Sequence, residues 1–416
     1  MPEGWAWCRL GYICSLHDGE KIEKQLQYLD AKHFRGKGTT ICNSGKYVAE
    51  NSYLILVDGE NSGEVFYTET AGFQGSTFKI LNITNIIFNK YALYLIRKEQ
   101  ELLRNSKVGS AIPHLNKQLF KELLIPIPSF LEQKRLVSTI ENAFNTIDEL
   151  ENNKIELSNV ISKAKSKILD LAIHGKLVPQ DTNDEPASIL LEKLRSEKEE
   201  KIAKGELKRD KNDSYIYKGS DNCYYEKLDG KEICIDDEIP FEIPANWTWK
   251  RGKEIFLSMF TRTPEKTGTF KYIDIDAIDN KQHKITTPKT IEAKNAPSRA
   301  SRGVESGDVL FSMVRPYLEN IALIKEEHAD CIASTGFYIC RPNKAIYSEY
   351  LFYLMTSTYV IKGLNEFMKG DNSPSISGDE IAKWLYPIPP IEEQKRIVKI
   401  INDLFKSLDQ IQANVI

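Results

Sequence analysis

The chain has 416 residues, 41% of them hydrophobic, and its formal net charge of −3 neither indicates nor excludes nucleic-acid binding, because local patches decide that property. It has no apolar run of about eighteen residues and no basic stretch followed by an apolar segment at its N-terminus, so we expect neither a membrane span nor a secretory signal. The seven cysteines are scattered without CxxC spacing, which predicts free thiols in a cytoplasmic protein.

Residues 1–125 predict a first block of mixed strand and helix. Apolar runs bounded by turn residues predict strands at 53–57, 64–67 and 76–80. Apolar residues at helical spacing predict a helix at 89–105 that packs on the resulting sheet. A block of this size is large enough to bury a core of its own.

Residues 126–175 predict one long helix after an extended start. Pro126 and Pro128 prevent the helix from beginning earlier. Apolar residues then recur at heptad spacing, interrupted once by Lys154, at Ile140, Ala143, Ile147, Leu150, Leu157, Ile161, Ala164, Ile168 and Leu171. This pattern is typical of a helix that packs along another helix, and forty-odd residues at about 1.5 Å each give a rod of about 60 Å.

For residues 176–240 the sequence predicts a break in the helix, a charged helix from 189 to about 204, and an extended linker from 215 onwards.

For residues 241–386 the sequence predicts a second block with the plan of the first. Its predicted elements are a strand at 272–276, turns at 307–308 and 334–336, and a helix at 347–362. Residues 387–416 predict a second, shorter helix.

Two internal repeats set the order block, helix, block, helix. Residues 126–135 recur at 387–396, an offset of 261, with the shared pattern Pro-Ile-Pro-x-x-x-Glu-Gln-Lys-Arg. Residues 2–9 resemble 244–251, an offset of 242. Chance similarity of two amphipathic helices would explain the heptads but not these motifs, so we interpret the chain as an internal duplication of the α+β class. We expect Trp5, Trp7, Trp247 and Trp249 to pack the start of each block against the helix pair.

The sequence lacks the convergent groups that catalysis requires. It has no phosphate-binding loop, no Gly-x-Gly-x-x-Gly after a strand, and no Asn/Asp-Pro-Pro-aromatic segment of the kind that adenine methyltransferases use. Asp279 with Glu292 and Lys294 is a weak match to a metal-nuclease set, and such triplets are frequent in a chain this charged. The six histidines are isolated. We therefore expect a binding protein with no catalytic residue, metal or cofactor.

Taken in order, these motifs make the chain similar to the specificity subunit of type I restriction–modification systems. The segments that carry the resemblance are 2–11, 126–135, 175–181, 191–198, 241–249, 307–312, 314–317 and 334–337. The resemblance implies two similar mixed α/β target-recognition domains, joined by two long antiparallel coiled-coil helices and related by a pseudo-two-fold repeat. The implied domains are recognition domain 1 at 1–125, a spacer helix at 126–175, an exit and linker at 176–240, recognition domain 2 at 241–386, and a second spacer helix at 387–416.

The resemblance also implies a non-catalytic role. Each recognition domain would bind one half of a bipartite, asymmetric site in double-stranded DNA. Two adenine methyltransferase subunits and restriction/translocase subunits would assemble on the chain. One departure from the family is the second helix, which ends at Ile416, about twenty-five residues after Pro390. A truncated chain and completion of the bundle by another copy both remain open.

Candidate DNA contacts are basic and polar residues in the predicted loops of both blocks, because phosphates and base edges are bound by such side chains. They are Lys32, Arg35, Lys37, Asn43, Lys46, Gln74 and Ser76 in the first block, and Arg299, Arg302, Arg315, Tyr317, Asn320, Ser334, Thr335, Lys369 and Ser373 in the second. Alternatively these are ordinary solvated residues, and Arg315 could instead pair with a buried carboxylate.

The residues expected to join the two long helices are Ile140, Ala143, Phe144, Ile147, Leu150, Ile401, Leu404, Phe405, Leu408 and Ile411. Phe144 and Phe405 lie one step off the seam, so they could widen it or face the methyltransferase.

Two other function classes remain compatible with the residues alone. A structural adaptor with two protein-binding domains would also need a rod, but it gives no reason for the ordered motifs. A fused restriction enzyme is disfavoured by the missing catalytic motifs. Co-purification of a DNA methyltransferase would distinguish a specificity subunit from a structural adaptor. A methylation assay on the isolated chain would distinguish a specificity subunit from a fused restriction enzyme.

Overall fold

The long helix is continuous from Phe130 to Ile173 in the computed structural model, which describes residues 2–106, 114–206, 214–228 and 230–414. Lys154 interrupts the heptad pattern but not the helix. The chain divides into two compact units, Met1–Asn152 and Asn153–Ile416, so each unit contains one half of this helix. No helix within the described ranges is long and apolar enough to cross a membrane.

The first unit is a mixed block of sheet and short helices. Its strands are Ala6–Arg9, Cys14–His17, Lys21–Leu29, Thr40–Val48, Ser52–Leu56, Val65–Thr68, Gly72–Gln74, Phe78–Ile83 and Leu124–Ile127, and its other helices are Leu10–Ile13, Ala31–Phe34, Asn89–Lys98, Gln100–Asn105 and Lys117–Glu122. The three predicted strands are confirmed with shifts of one to three residues. The predicted helix at 89–105 is two helices, because Glu99 leaves helical geometry between them.

The second unit contains the second block and the C-terminal helix. Its strands are Ser214–Lys218, Tyr224–Leu228, Lys231–Cys234, Thr248–Arg251, Thr269–Ile273, Ile278–Asp279, Lys284–Ile285, Lys289–Glu292, Ala300–Gly303, Val309–Ser312, Ile321–Leu323, Ile332–Ser334, Phe337–Cys340 and Leu385–Ile388. Its other helices are Ala187–Ala203, Gly252–Ile255, Ser348–Met355, Thr358–Asn365, Gly378–Lys383 and Ile391–Ala413, with 3-10 turns at Asp236–Glu238, Ile275–Ala277, Ala293–Asn295, Pro316–Leu318 and Glu326–His328. The predicted helix at 347–362 is again a pair.

The two repeated motifs pair with each other in both halves of the chain. Ala6–Arg9 pairs antiparallel with Leu124–Ile127, and Trp7 lies opposite Pro126. Thr248–Arg251 pairs antiparallel with Leu385–Ile388, and Trp249 lies opposite Pro387. Because these partners differ by the same offsets of 242 and 261 residues that the sequence shows, the duplication extends to the register of the strands.

Side chains at the start of each helix repeat the same contacts. The indole Nε1 of Trp5 donates to Glu132 at 3.1 Å, and that of Trp247 donates to Glu393 at 3.0 Å. Each following glutamine donates to a proline carbonyl of the strand–helix connection, Gln133 to Pro128 at 3.0 Å and Gln394 to Pro389 at 2.9 Å. Each helix is therefore fixed to the first strand of its own block.

The region expected to be an extended linker, from 215 to 242, is instead a small sheet. Its strands Ser214–Lys218, Tyr224–Leu228 and Lys231–Cys234 pair in consecutive antiparallel order. Ile216 and Ile235 are buried in one cluster with Trp249 and Leu385, which gives the sheet a core to fold against. The Asp229-Gly230 pair in the sequence is a hairpin signal that favours this result.

We expect replacement of Asp308 by alanine to destabilise the second unit. Its carboxylate is 2% exposed and contacts Arg341 at 2.6 and 3.0 Å, so its loss leaves a charge buried without its counterion. Urea unfolding should show a loss of about 3–5 kcal/mol. Glu305→Gln is the control, because Glu305 is exposed and 3.7 Å from the same arginine, and should change stability by less than about 1 kcal/mol. An unchanged midpoint for Asp308→Ala would contradict this role.

Candidate nucleic-acid interface

Four separate loop segments of the second block lie side by side. The carbonyl of Arg299 accepts from Thr335 N–H at 2.9 Å, and Met313 N–H donates to Gly336 at 2.9 Å. Arg315 N–H donates to Pro374 at 2.8 Å, and Lys369 and Ser375 exchange two backbone hydrogen bonds. We call residues 299, 313–320, 335–336 and 369–376 the loop cluster. It brings together residues that are up to 77 positions apart, from 299 to 376.

The exposed side chains of the loop cluster are mostly basic or polar. Arg299, Arg315, Tyr317, Lys369 and Ser373 are all exposed, and Tyr317 retains 46% of its accessible surface. Cationic and hydroxyl groups of this kind are the ones that proteins use to bind phosphates. The fold therefore gathers most of the predicted second-block contacts on one surface.

Backbone strain is concentrated in the same cluster. Arg315 and Glu319 both have left-handed backbone angles, with φ of 48° and 56°, and they bracket the turn Pro316–Leu318. A non-glycine residue in this region costs roughly 1–3 kcal/mol, and such residues occur preferentially at functional sites. The Arg315 guanidinium donates to the carbonyl of Asn372 at 2.9 Å, so it pairs with backbone rather than with the buried carboxylate considered above.

Three predicted contacts need correction because their side chains are buried. Gln74 is 6% exposed, and its amide bonds to Gly19, Asp18 and Phe78. Ser334 is fully buried, and its hydroxyl accepts from Gly336 N–H. Asn320 is 8% exposed and lines an open cleft with Asp274 and Asp276, whose carboxylates disfavour a phosphate. We remove these three residues from the set available to bind DNA.

Gln74 and Ser334 occupy matching places in the two blocks. Each ends a short strand that pairs in parallel with the first long strand of its block, Gly72–Gln74 with Lys21–Leu29 and Ile332–Ser334 with Thr269–Ile273. Thr335 is half-buried, and Arg302 is half-buried with its Nε unpaired among the described residues. In both blocks the last residue of this parallel strand, Gln74 or Ser334, therefore stabilises the fold through side-chain hydrogen bonds.

The predicted basic loop of the first block is partly neutralised by carboxylates. Lys46 contacts Asp18 at 2.7 Å and Arg35 contacts Glu64 at 2.6 Å. Asp18 also binds Lys79 and Gln74, and hydrogen bonds from Lys46 and then Lys79 hold its pKa well below its usual range. Lys32, Lys37, Asn43 and Ser76 remain exposed. Sequence reasoning missed Asp18, because its three partners lie 28 to 61 residues away and no local pattern links them.

The predicted helix-pair residues of the second unit differ in their burial. Lys165, in the second half of the long helix, pairs with Asp409 at 2.5 Å and lies over the Phe405 ring at 5.3 Å. Ile401 is fully buried and Leu408 half-buried, whereas Leu404 and Ile411 are 39% and 49% exposed. Ile401, Phe405 and Leu408 are therefore the more buried members of the predicted set, and the assignment of Leu404 and Ile411 to the helix pair stays a prediction.

The helix-pair residues of the first unit are mostly solvent-accessible. Phe144 stacks on Tyr94 with ring centroids 6.3 Å apart and keeps 47% of its surface exposed. Ile147 and Leu150 are 49% and 62% exposed. Ala143 is also exposed and Ile140 is half-buried.

Comparison with known proteins matches two separate parts of the chain to one family. A family model described as the type I restriction modification DNA specificity domain matches residues 2–158 and 244–416. The chain is 24% identical to the type I restriction enzyme MjaVIII specificity subunit of Methanocaldococcus jannaschii, over 99% of this chain and 87% of that protein. It is 28% identical to the EcoAI specificity subunit of Escherichia coli, over 99% and 79% respectively.

A solved structure from a study of complex assembly in the type I R-M system shares the fold. It covers 100% of this chain and 93% of its own, with a TM-score of 0.58 and 16% sequence identity. At this level of identity the likeness concerns the fold alone.

Proposed function

The chain belongs to the family of type I restriction–modification DNA specificity subunits, and we propose that its two blocks bind the two halves of one bipartite, asymmetric site in double-stranded DNA. As a specificity subunit it recognises DNA and is not itself the catalyst. The sequence preference of the whole complex then depends on the loops of the two blocks. The observation that carries this proposal is the loop cluster of the second block.

The loop cluster has the properties that DNA binding requires. Arg299, Arg315 and Lys369 supply positive charge, and the fixed turn at 316–318 presents Tyr317 and Arg315 without further ordering. A preorganised turn lowers the entropy that is lost on binding. In the first block the corresponding contacts are assigned to Lys32, Lys37, Asn43 and Ser76, which remain exposed.

We assign the two long helices the role of a spacer, packed as an antiparallel coiled coil in a pseudo-two-fold arrangement. The 44-residue helix Phe130–Ile173 supports this role, because a helix of that length spans about 66 Å. Each block alone reads only a few base pairs. Two weak interactions at a fixed distance reinforce each other through effective concentration.

The repeat favours two methyltransferase subunits, one for each half, with restriction/translocase subunits added to them in the cytoplasm. The adaptor alternative is not favoured by any contact described above. Co-purification of an adenine methyltransferase with the tagged chain, together with a genome-wide methyladenine survey with and without the gene, tests the proposal. Recovery of the chain without a methyltransferase, and loss of no methylated motif on deletion, would refute it.

Lys369→Ala should weaken DNA binding by the assembled complex about equally across sequences. Loss of one phosphate contact should reduce the slope of log K against log salt concentration by about 1. Lys325→Ala is the matched control. Lys325 is also exposed, but it lies away from the loop cluster. Its neighbour Ile324 donates its N–H to the carbonyl of Asp308, which precedes strand Val309–Ser312, whereas the loop cluster follows that strand. Equal salt slopes for wild type and Lys369→Ala would remove Lys369 from the interface.

Deletion of residues 147–153 should shorten the unread spacer between the two half-sites. These seven residues are exposed, and their removal shortens the helix by about 10 Å. Because seven residues are nearly two full turns, the remaining side chains keep nearly the same orientation around the helix axis. At about 3.4 Å per base pair, the preferred spacer should lose about three base pairs. Asn152→Ala with Asn153→Ala keeps the length and should leave the methylated motif unchanged. An unaltered spacer in the deletion variant would rule out the helix as a ruler.

A further inference from the structure

Two nine-residue strands of the first block, Lys21–Leu29 and Thr40–Val48, pair antiparallel as a ribbon. Gln27 lies opposite Ile41 in this pairing. Directly opposed residues of antiparallel strands point to the same face, and so do residues two apart along one strand. Gln27, Ile41 and Asn43 therefore share one face of the ribbon.

A β-bulge adds further side chains beside Asn43. The register of the ribbon shifts between Glu23 and Leu26, so that Lys24 and Gln25 both lie opposite Asn43. Bulges are frequent next to functional sites, where they redirect a side chain. We call Gln25, Gln27, Ile41 and Asn43 the amide face.

The amide face is exposed, and its hydrogen-bonding groups are unused by the fold. Gln25, Gln27 and Asn43 are all exposed, and Ile41 keeps 62% of its accessible surface. Within the described ranges, none of these three amide side chains has a hydrogen-bond partner in the chain. The face therefore offers free donors, free acceptors and one apolar contact to a ligand.

These residue types match the edge of an A·T base pair in the major groove. The amide of a glutamine or asparagine donates to adenine N7 and accepts from the adenine N6 amino group. An apolar side chain contacts the thymine C5-methyl group. The pair of Gln27 and Ile41 contains both kinds of group on directly opposed positions.

The ribbon also has the dimensions of the major groove. Its two strands lie about 4.8 Å apart, and the groove is about 12 Å wide. Residues two apart on one strand are separated by about 7 Å, which equals the rise of about two base pairs. Ile41 and Asn43 can therefore contact base pairs about two steps apart.

Exposed lysines lie on both sides of the Gln27–Ile41 pair along the ribbon. Lys24 is at the bulge, and Lys32 and Lys37 are in the connection between the two strands. Phosphate contacts of this kind fix the register of a protein on the duplex, whereas groove contacts select the sequence. The first block thus contains both kinds of group on one ribbon.

The corresponding strand pair of the second block carries other side chains. Thr269–Ile273, the strand that pairs in parallel with Ile332–Ser334, lies beside Lys289–Glu292. Its exposed opposed residues are Lys271 and Thr290. A cation and a hydroxyl in place of an amide and an isoleucine favour a different base pair, as an asymmetric site requires.

We propose that the amide face selects A·T pairs in the half-site bound by the first block. Gln27 and Asn43 bond to adenines in the major groove, and Ile41 contacts a thymine methyl group. Lys24, with the lysines of the connection, binds the flanking phosphates. This proposal rests on the proposed function, because it names the bases that one recognition block selects.

The first test compares the methylated DNA motif in cells that carry each variant. One half-site should contain an A·T pair besides the methylated one. Gln27→Ala or Asn43→Ala should admit other base pairs at one such position, leave the other half-site unchanged, and weaken binding of the assembled complex to the original site about tenfold. Asn82→Ala is the matched control, since Asn82 is an exposed asparagine in strand Phe78–Ile83 of another sheet, and it should keep the motif.

Base analogues identify the groups that are contacted. Replacement of adenine by 7-deazaadenine at the position relaxed by Asn43→Ala should weaken the wild-type complex about tenfold and the variant little further. Replacement of thymine by uracil should weaken the wild type but not Ile41→Ala. Ile86→Ala is the control for this substitution, because Ile86 is 67% exposed outside the ribbon, and it should respond to uracil as the wild type does.

The outcomes separate this proposal from the one on which it rests. Loss of no methylated motif on deletion of the gene would refute the proposed function, and this proposal with it. A motif that keeps every position in Gln27→Ala and Asn43→Ala would overturn this proposal alone. A reduced salt slope in these variants would also overturn it, because the amide face would then bind phosphates. Unchanged DNA binding with loss of the co-purified methyltransferase would do so as well, because the face would then bind protein.

Discussion

Each half of the chain depends on one antiparallel strand pair that leads directly into a helix. Leu124–Ile127 pairs with the first strand of its block, and the helix begins at Phe130. Leu385–Ile388 does the same before the helix that starts at Ile391. Tyrosine hydroxyls brace both connections, from Tyr91 to Pro126 and from Tyr350 to Pro387. With two residues between sheet and helix, and prolines among them, a block cannot rotate independently of its helix.

This coupling connects the loop cluster to the helix start through buried residues of the second unit. The loop cluster is built on strands such as Val309–Ser312, which belong to the same buried cores as the helix start. Left-handed residues at 315 and 319 persist only because their surroundings hold them. Protein interiors are close-packed, so a displacement of the helix is transmitted to the loops rather than absorbed between them. Specificity that varies in the loops can therefore coexist with a constant frame.

The parts of this fold that follow from local pattern could be predicted from the sequence, and the parts that depend on distant contacts could not. Periodicity and the two prolines define the long helix to within a few residues. The two sequence offsets also relate the strand registers of the two halves, because the two repeated motifs pair with each other in each half. By contrast, Gln74 and Ser334 lie in ordinary turn sequences, and only the fold shows that their side chains form buried hydrogen bonds. In the same way, only the fold shows that Lys165 lies over the Phe405 ring, because a contact between two helices depends on the partner as well as on the heptad.

The duplication copies the geometry of the two halves but not their surroundings. Trp5 and Trp247 make equivalent contacts at nearly equal distances, yet Trp7 and Trp249 differ from largely exposed to fully buried. The difference arises from segments outside the repeat, namely residues 174–186 and the small sheet that starts at Ser214. A buried carboxylate such as Glu393 is tolerated because hydrogen-bond donors surround it, although burial raises its pKa. Equivalent positions therefore carry different roles: Arg396 anchors a segment of its own chain, whereas Arg135 presents the same guanidinium to solvent.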